Sequence, residues 1–494
     1  MNVCQVIESH PTDEVAVTSV STGASMTYGE LRERAAVVRS ALAGEGVGIG
    51  DRVVLIGATT DSVIVALFGV WGVGATAVPL DARTPTLEVA TEIAAVDARL
   101  VILCDAFASE AHNATTADAM ELSALTAAHP SVSGGGSTIA DVEGDHPALA
   151  MFTSGTAGEP KAAVLSHLNL LSNLAQIDAH PAQVANPGDV VLGILPFSHI
   201  LGLNTQLVYS LHVGVTIVLV DQFDPVHLAG VIEKHKVTTV LGPPALWAAL
   251  ARTPGISAEC FRSVRLALSG AAPLSADIRR EVAEQFGLTL EEGYGLTEAS
   301  PAVTLSVGTE APAGSVGPAL PGLEVRLVDE RGADVLVGDA GEVLVRGPNV
   351  FSGYLNDPAA TAAVLDADGW LHTGDLAVVD ANGFLSIVGR HKDLVIVSGF
   401  NVYPTQVEQT IRGLDGVAAV AVTGRPHPVT GEEVVAHVVR ATGAPAAVDP
   451  AQISEEDVLS WCRTRLAGYK CPTHVAFVSE LPVSLTGKVR RRDL

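Results

Sequence analysis

Residues 151–161 read MFTSGTAGEPK, two glycines among small residues with one lysine at the end of a short apolar run. Gly155 and Gly158 carry no Cβ, so backbone N–H groups there can approach a polyphosphate closely. The hydroxyls of Thr153, Ser154 and Thr156 can donate to phosphate oxygens, and Lys161 adds positive charge. The pattern is not GxxxxGK[ST], so the fold that goes with that nucleotide loop is not indicated. Taken alone, the run is also an ordinary turn, since Gly and Ser are turn residues in any case. A second group of cations, residues 488–492, reads as a solvated tail, except that Lys488 directly follows a glycine. His199 in PFSHI, Glu298 in EGYGLTE and Asp375 in GWLHTGD are polar residues set among glycines and apolar neighbours.

Such groups need elements to hold them. β-Branched runs at 53–56, 101–104, 190–195 and 216–220 predict strands; Ala-rich amphipathic stretches at 28–44, 167–178 and 274–286 predict helices. Their alternation favours layered α/β architecture with largely parallel sheets. Residues 131–138, SVSGGGST, predict a surface loop without chemistry of its own. After residue 341 strands shorten and turns multiply, and beyond about residue 392 a compact βα-patterned unit begins. Two domains are therefore expected, 1–391 and 392–494.

The chain's 494 residues are 48% hydrophobic, enough for several large cores, which excludes a disulfide-stapled miniprotein and a disordered chain. Five cysteines, with no CxxC pair, predict reduced and partly buried thiols. A formal net charge of −26 argues against a nucleic-acid binder. Apolar stretches such as 63–73 and 213–220 are too short or too interrupted to span a bilayer, and residues 1–10 lack a secretory signal pattern. A cytoplasmic protein is expected, with peripheral membrane contact and oligomeric state left open.

The glycine-rich loop is followed, in order, by PFSHI, SGAAPL, EGYGLTE, GWLHTGD, GRHKD, SGFNVYP and LTGKVRR. This series resembles the adenylate-forming superfamily of acyl-CoA synthetases, luciferases and peptide-synthetase adenylation domains. Two positions depart from the family pattern, Ala157 for Thr and Ala162 for Gly; neither supplies the main phosphate contacts. The resemblance implies a large N-terminal domain of stacked sheets with a distorted β-barrel, and a small mobile C-terminal α+β domain hinged at Lys392. It implies ATP and CoA as substrates and Mg²⁺ as cofactor.

By the same resemblance, Lys488 bridges the acyl carboxylate and the α-phosphate of ATP, where two anions must meet. Glu298 is the implied Mg²⁺ ligand, with Thr153 as a hydroxyl partner. Tyr294 would stack on adenine, Thr297 contact the α-phosphate, and Gly293 and Gly295 keep the backbone close. Gly270 and Ala271 resemble the adenine-lining segment, although their small side chains also suit plain packing. Asp375 resembles the acid that accepts from both ribose hydroxyls, with Arg390 as its partner. His199 matches a residue that positions the acyl carboxylate, and Gly399 with Phe400 the path of the pantetheine arm.

The stretch 369–404 and AGYKCP at 467–472 look most like bacterial long-chain fatty-acyl-CoA synthetases, and the insertion of acyl-AMP ligases is not apparent. Residues 201–209, 243–247 and 299–303 are expected to line an apolar acyl site, favouring a medium- to long-chain fatty acid. The alternatives are an acyl-AMP ligase, a carrier-protein-loading enzyme, and an inactive adenylate-binding protein.

Overall fold

The computed structural model describes residues 1–112, 119–129, 138–153, 161–398, 400–441, 453–483 and 489–494. The glycine-rich loop at 154–160, most of the 131–138 stretch, Gly399 and Lys488 lie outside the described residues.

Strand Arg52–Gly57 shows how the core is built. Successive side chains point to opposite faces, so Val53 and Leu55 enter one hydrophobic cluster while Val54 and Ile56 enter another. Thr216–Leu219 behaves alike, with Ile217 and Leu219 on one side and Val218 on the other. Continuous apolar strands of this kind need cover on both faces. On one face helices Tyr28–Gly44, Asp61–Val73 and His167–Asp178 fill the largest core between two sheets; on the other, Thr86–Val96 covers Arg52–Gly57, and Pro225–His235 with Pro244–Arg252 covers Thr216–Leu219. The first helix opens on a reciprocal cap: Glu30 N–H donates to Thr27 Oγ1 at 3.2 Å, and Thr27 N–H donates to the Glu30 carboxylate at 2.8 Å. Ser166 and Asn169 repeat the device at the third.

Among the described residues the strands form four sheets, of eight, seven, four and five strands. In the eight-stranded sheet, Leu290–Gly295, Leu266–Ser269, Thr239–Gly242, Val190–Gly193, Thr216–Leu219 and Val15–Ser19 run parallel. The seven-stranded sheet has Thr76–Asp81, Arg52–Gly57 and Leu100–Leu103 parallel at its centre. Toward one edge it carries the antiparallel pair Pro147–Thr153 and Lys161–Ser166, with Gly353–Tyr354 beyond. The four-stranded sheet, Glu324–Val328 to Leu385–Arg390, is antiparallel throughout and stands where the distorted barrel was expected. Bridges Thr304↔Ala319 and Gly317↔Leu385 tie it to the eight-stranded sheet.

The exposed turn His391–Asp393 leads from the four-stranded sheet into Val395–Val397 of the five-stranded unit, which has a core of its own. Arg491 pins the last residues to that unit. Its guanidinium reaches Asp393 Oδ2 at 3.1 Å, Glu408 Oε1 at 2.7 Å and the Val422 carbonyl at 3.2 Å. Val483 and Val489 pair across the ends of the segment that contains Lys488. All five cysteines are free thiols, buried or half-buried. Among the described residues no helix is long and apolar enough to cross a membrane.

Candidate active site

Thr153 and Lys161 face each other as Cα partners at the mouth of the antiparallel pair that carries the glycine-rich loop. Thr153 Oγ1 lies 3.5 Å from the Lys161 carbonyl. Lys161 Nζ sits 3.8 Å from Asp357 Oδ2 and 5.5 Å from the centre of the Tyr354 ring. Both predicted loop-flanking residues therefore sit on adjacent strands next to the edge strand Gly353–Tyr354 of the seven-stranded sheet.

Glu298 lies on the single turn Thr297–Ala299, which follows strand Leu290–Gly295. The turn is held from several sides. Its Glu298 carbonyl accepts from Phe351 N–H at 2.8 Å, and the Ala299 carbonyl accepts from Asn349 Nδ2 at 2.6 Å. The next carbonyl, of Ser300, accepts from buried Asn204 at 2.7 Å. Tyr354 O–H donates to Glu298 Oε1 at 2.6 Å. Burial first, then the Glu298 charge, pushes Tyr354 well above the ordinary phenol range, so it remains a donor.

Asp375 is buried, 3% exposed, and both of its oxygens are engaged. Tyr294 O–H donates to Oδ2 at 2.7 Å; Arg390 Nε donates to Oδ1 at 2.6 Å. Asp375 and Arg390 are cross-strand partners, whereas Tyr294 comes from the eight-stranded sheet. Burial acts to lower Arg390, but the Asp375 charge and hydrogen bond outweigh it and leave the guanidinium raised. Tyr294, expected as a flat adenine platform, thus also spends its hydroxyl on the carboxylate.

The glycines of this strand answer to packing. A Cβ on Gly295 would collide with the Pro301 carbonyl, and one on Gly293 would lie 3.2 Å from the Thr304 carbonyl of the antiparallel neighbour. A Cβ on Gly270 would meet only Leu201 Cδ2 at 3.6 Å and the Gly293 carbonyl at 4.0 Å. Ala271 has φ +66°, a conformation L-residues rarely adopt, on an exposed turn at the end of Leu266–Ser269.

His199 follows strand Val190–Gly193 and points a buried Nε2 that has no hydrogen-bond partner among the described residues. Burial lowers its pKa; nearby Asp81 opposes this and Arg83 adds to it. Asp81, itself 5% exposed, is clamped by Arg83 through Nε at 2.9 Å and Nη2 at 2.7 Å. The hydroxyls of Ser198, Thr205 and Ser269 are likewise buried without partners. Within the segments expected to line the acyl site, Leu203, Leu207, Trp247, Ala299 and Val303 are 0% exposed within packed clusters. Phe400, 56% exposed, stacks on Tyr469 at 4.8 Å between ring centres.

A family model for AMP-binding enzymes matches residues 4–355, and one for the C-terminal domain of AMP-binding enzymes matches residues 406–488. The chain belongs to the adenylate-forming AMP-binding enzymes. A feruloyl-CoA synthase of Amycolatopsis sp is 35% identical over 96% of this AMP-binding enzyme and 94% of its own length. A long-chain-fatty-acid–CoA ligase of Bacillus subtilis (strain 168) is 36% identical over 72% of this chain and 63% of that protein. The crystal structure of ATP-bound MatB from Rhodopseudomonas palustris superposes with a TM-score of 0.90 at 32% identity, covering 100% of this chain and 98% of that one.

Sequence reasoning about this AMP-binding enzyme missed Tyr354, Asp81 and Arg83. Tyr354 ends the run GPNVFSGY, and an aromatic after a glycine at a strand start was its only local signal.

Proposed function

We propose that the chain is an acid–CoA ligase working through an acyl-adenylate. A carboxylate oxygen forms a bond to the α-phosphorus of ATP and the bond to pyrophosphate breaks. The CoA thiolate then attacks the acyl carbon and AMP departs. The observation that carries this reading is the buried Asp375 with its two fixed partners, together with a turn that presents Glu298. An ionised carboxylate held in one orientation suits acceptance from two ribose hydroxyls. His199, with a buried unpartnered nitrogen and a lowered pKa, is proposed to position the acyl carboxylate as a neutral donor.

Mg²⁺ fits the donor set. Among the described residues Glu298 Oε2 has no hydrogen-bond partner, Thr153 supplies a hydroxyl, and no cluster of three His, Cys, Asp or Glu is present. Such sparse protein ligation suits an ion that keeps waters and takes nucleotide phosphates. When bound, Mg²⁺ would neutralise phosphate charge at Glu298. Lys488 is proposed to offset the repulsion between carboxylate and α-phosphate, Gly399 and Phe400 to flank the pantetheine arm, and Lys392 to be the hinge between 1–391 and 392–494.

For the acid, we propose a medium- to long-chain fatty acid, supported by the absence of a cation among the expected lining segments and by the long-chain ligase relative. A second reading, a hydroxylated aromatic acid, is favoured by the buried unpartnered hydroxyls of Ser198, Thr205 and Ser269 and by the feruloyl-CoA synthase relative. A panel of fatty and hydroxycinnamic acids, read by both pyrophosphate exchange and thioester formation, tests each step. Exchange without thioester on any acid would replace the ligase reading with an acyl-AMP ligase. No exchange with any acid would leave an inactive adenylate-binding protein.

A further inference from the structure

Tyr354 is placed by long-range pairing: Gly353 and Tyr354 form the edge strand against Val164 and Ala163, directly beside Lys161. Thr361 Oγ1 accepts from its backbone N–H at 2.9 Å, and Phe351 packs edge-on at 5.0 Å. The ring therefore has little freedom. One end of it, the hydroxyl, grips Glu298 Oε1, and its face lies under the Lys161 ammonium. One side chain thus touches the acid proposed for the metal and the cation that closes the glycine-rich loop.

We infer that Tyr354 is a positioning residue that presents Glu298 to Mg²⁺ and Lys161 to the polyphosphate in one fixed relation. This rests on the proposed role of Glu298. A glutamate on a half-buried turn has several rotamers, and a hydrogen bond to Oε1 selects one and turns Oε2 outward. A charge-assisted donor also sets the basicity of the remaining oxygen. The ring contributes separately: an ammonium over an aromatic face is held by its quadrupole without losing its charge. Asp357 holds Lys161 from the other side at 3.8 Å and caps helix Pro358–Ala362 through Ala360 N–H at 2.8 Å. The whole edge, residues 353–361, is accordingly a bracket for these two charges.

Two substitutions separate the hydroxyl from the ring. Tyr354→Phe keeps the packing on Phe351 and the face under Lys161, and deletes only the donor. Tyr354→Leu removes both. For Tyr354→Phe, pyrophosphate exchange is expected to need about tenfold more Mg²⁺ for half-saturation, the scale seen when a partner of a metal ligand is lost. Its melting temperature should stay close to that of the parent. Tyr354→Leu should add a rise in KM for ATP at saturating Mg²⁺. Glu298→Gln is the reference, and adding Tyr354→Phe to it should cause no further change in the Mg²⁺ titration. A shift with Glu298→Gln but none with Tyr354→Phe would overturn the inference. A normal titration with Glu298→Gln would instead overturn the metal role of Glu298 itself. A fall in kcat for Tyr354→Phe without any change in Mg²⁺ dependence would likewise refute the positioning role.

Discussion

The Tyr294 hydroxyl and the Asp375 carboxylate, 81 positions apart, meet at 2.7 Å and join the eight-stranded sheet to the four-stranded one. Arg390 occupies the other oxygen, so the carboxylate proposed to receive the ribose hydroxyls is already held in one orientation.

Removing the Tyr294 hydroxyl should therefore cost nucleotide affinity. A hydrogen bond to a charged group contributes about 1.5–3 kcal/mol. Tyr294→Phe is expected to raise KM for ATP by about tenfold or more while the aromatic ring remains available for stacking. Steady-state kinetics at saturating acid measures this, and an unchanged KM would detach Tyr294 from the proposed ribose site.

Lys488 stands apart, because its assignment comes from its place in LTGKVRR. Lys488→Ala is expected to slow adenylation by about 10²-fold or more, the effect of losing one preorganised charge contact. Thioester formation from synthetic acyl-AMP should survive. Comparing the two half-reactions separately checks it, and parent-like adenylation would remove the lysine from the mechanism.

Lys392 lies in an exposed turn without buried residues. Proline there fixes φ and restricts the preceding residue as well. Lys392→Pro should keep pyrophosphate exchange and depress the complete reaction with CoA. Equal loss in both would place the pivot elsewhere.

Acid stability is expected to depend in part on His167, which opens the helix against the largest core and is 0% exposed. Its Nδ1 accepts from Val3 N–H at 3.0 Å and its Nε2 has no partner. Burial, then His146 stacked at 6.3 Å and the amino terminus, lowers its pKa from 6.5 to about 3. The folded protein thus keeps this ring neutral while the unfolded chain protonates it below pH 6.5. Its stabilisation is present above that pH and is lost progressively as pH falls toward 3. Between pH 7.5 and 5.5 the loss is about 1.4 kcal/mol, one tenfold step in the unfolding equilibrium. His167→Gln should flatten that part of the stability profile, measured by urea unfolding at both pH values; an unaltered profile would assign the acid sensitivity to other groups.

The sequence was most legible where local and global preferences agree. Helices at 28–44 and 167–178 match the observed Tyr28–Gly44 and His167–Asp178, because capping residues mark their starts. The helix expected from 274 begins at Ala276, since Ser275 accepts from Ile278 N–H and caps it. Strand positions were right to within two residues, as both-sided burial makes their apolar runs continuous. What stayed hidden depends on register between distant segments. Nothing near Tyr354 in sequence announces Glu298, 56 positions away; the pairing of Gly353 with Val164 and the bonds of Phe351 and Asn349 to the Glu298 turn bring them together. Ala271 at positive φ was equally hidden, because an alanine carries no turn signal.

Arg491 has a further consequence. Its partners Asp393, Glu408 and Val422 all lie beyond Arg390, so among the described residues these bonds fasten Arg491 to the five-stranded unit. If that unit turns about Lys392, the whereabouts of Lys488 reduce to one angle. A single pair of fluorescent labels, one on each side of the turn, would then report the lysine's approach and withdrawal in real time.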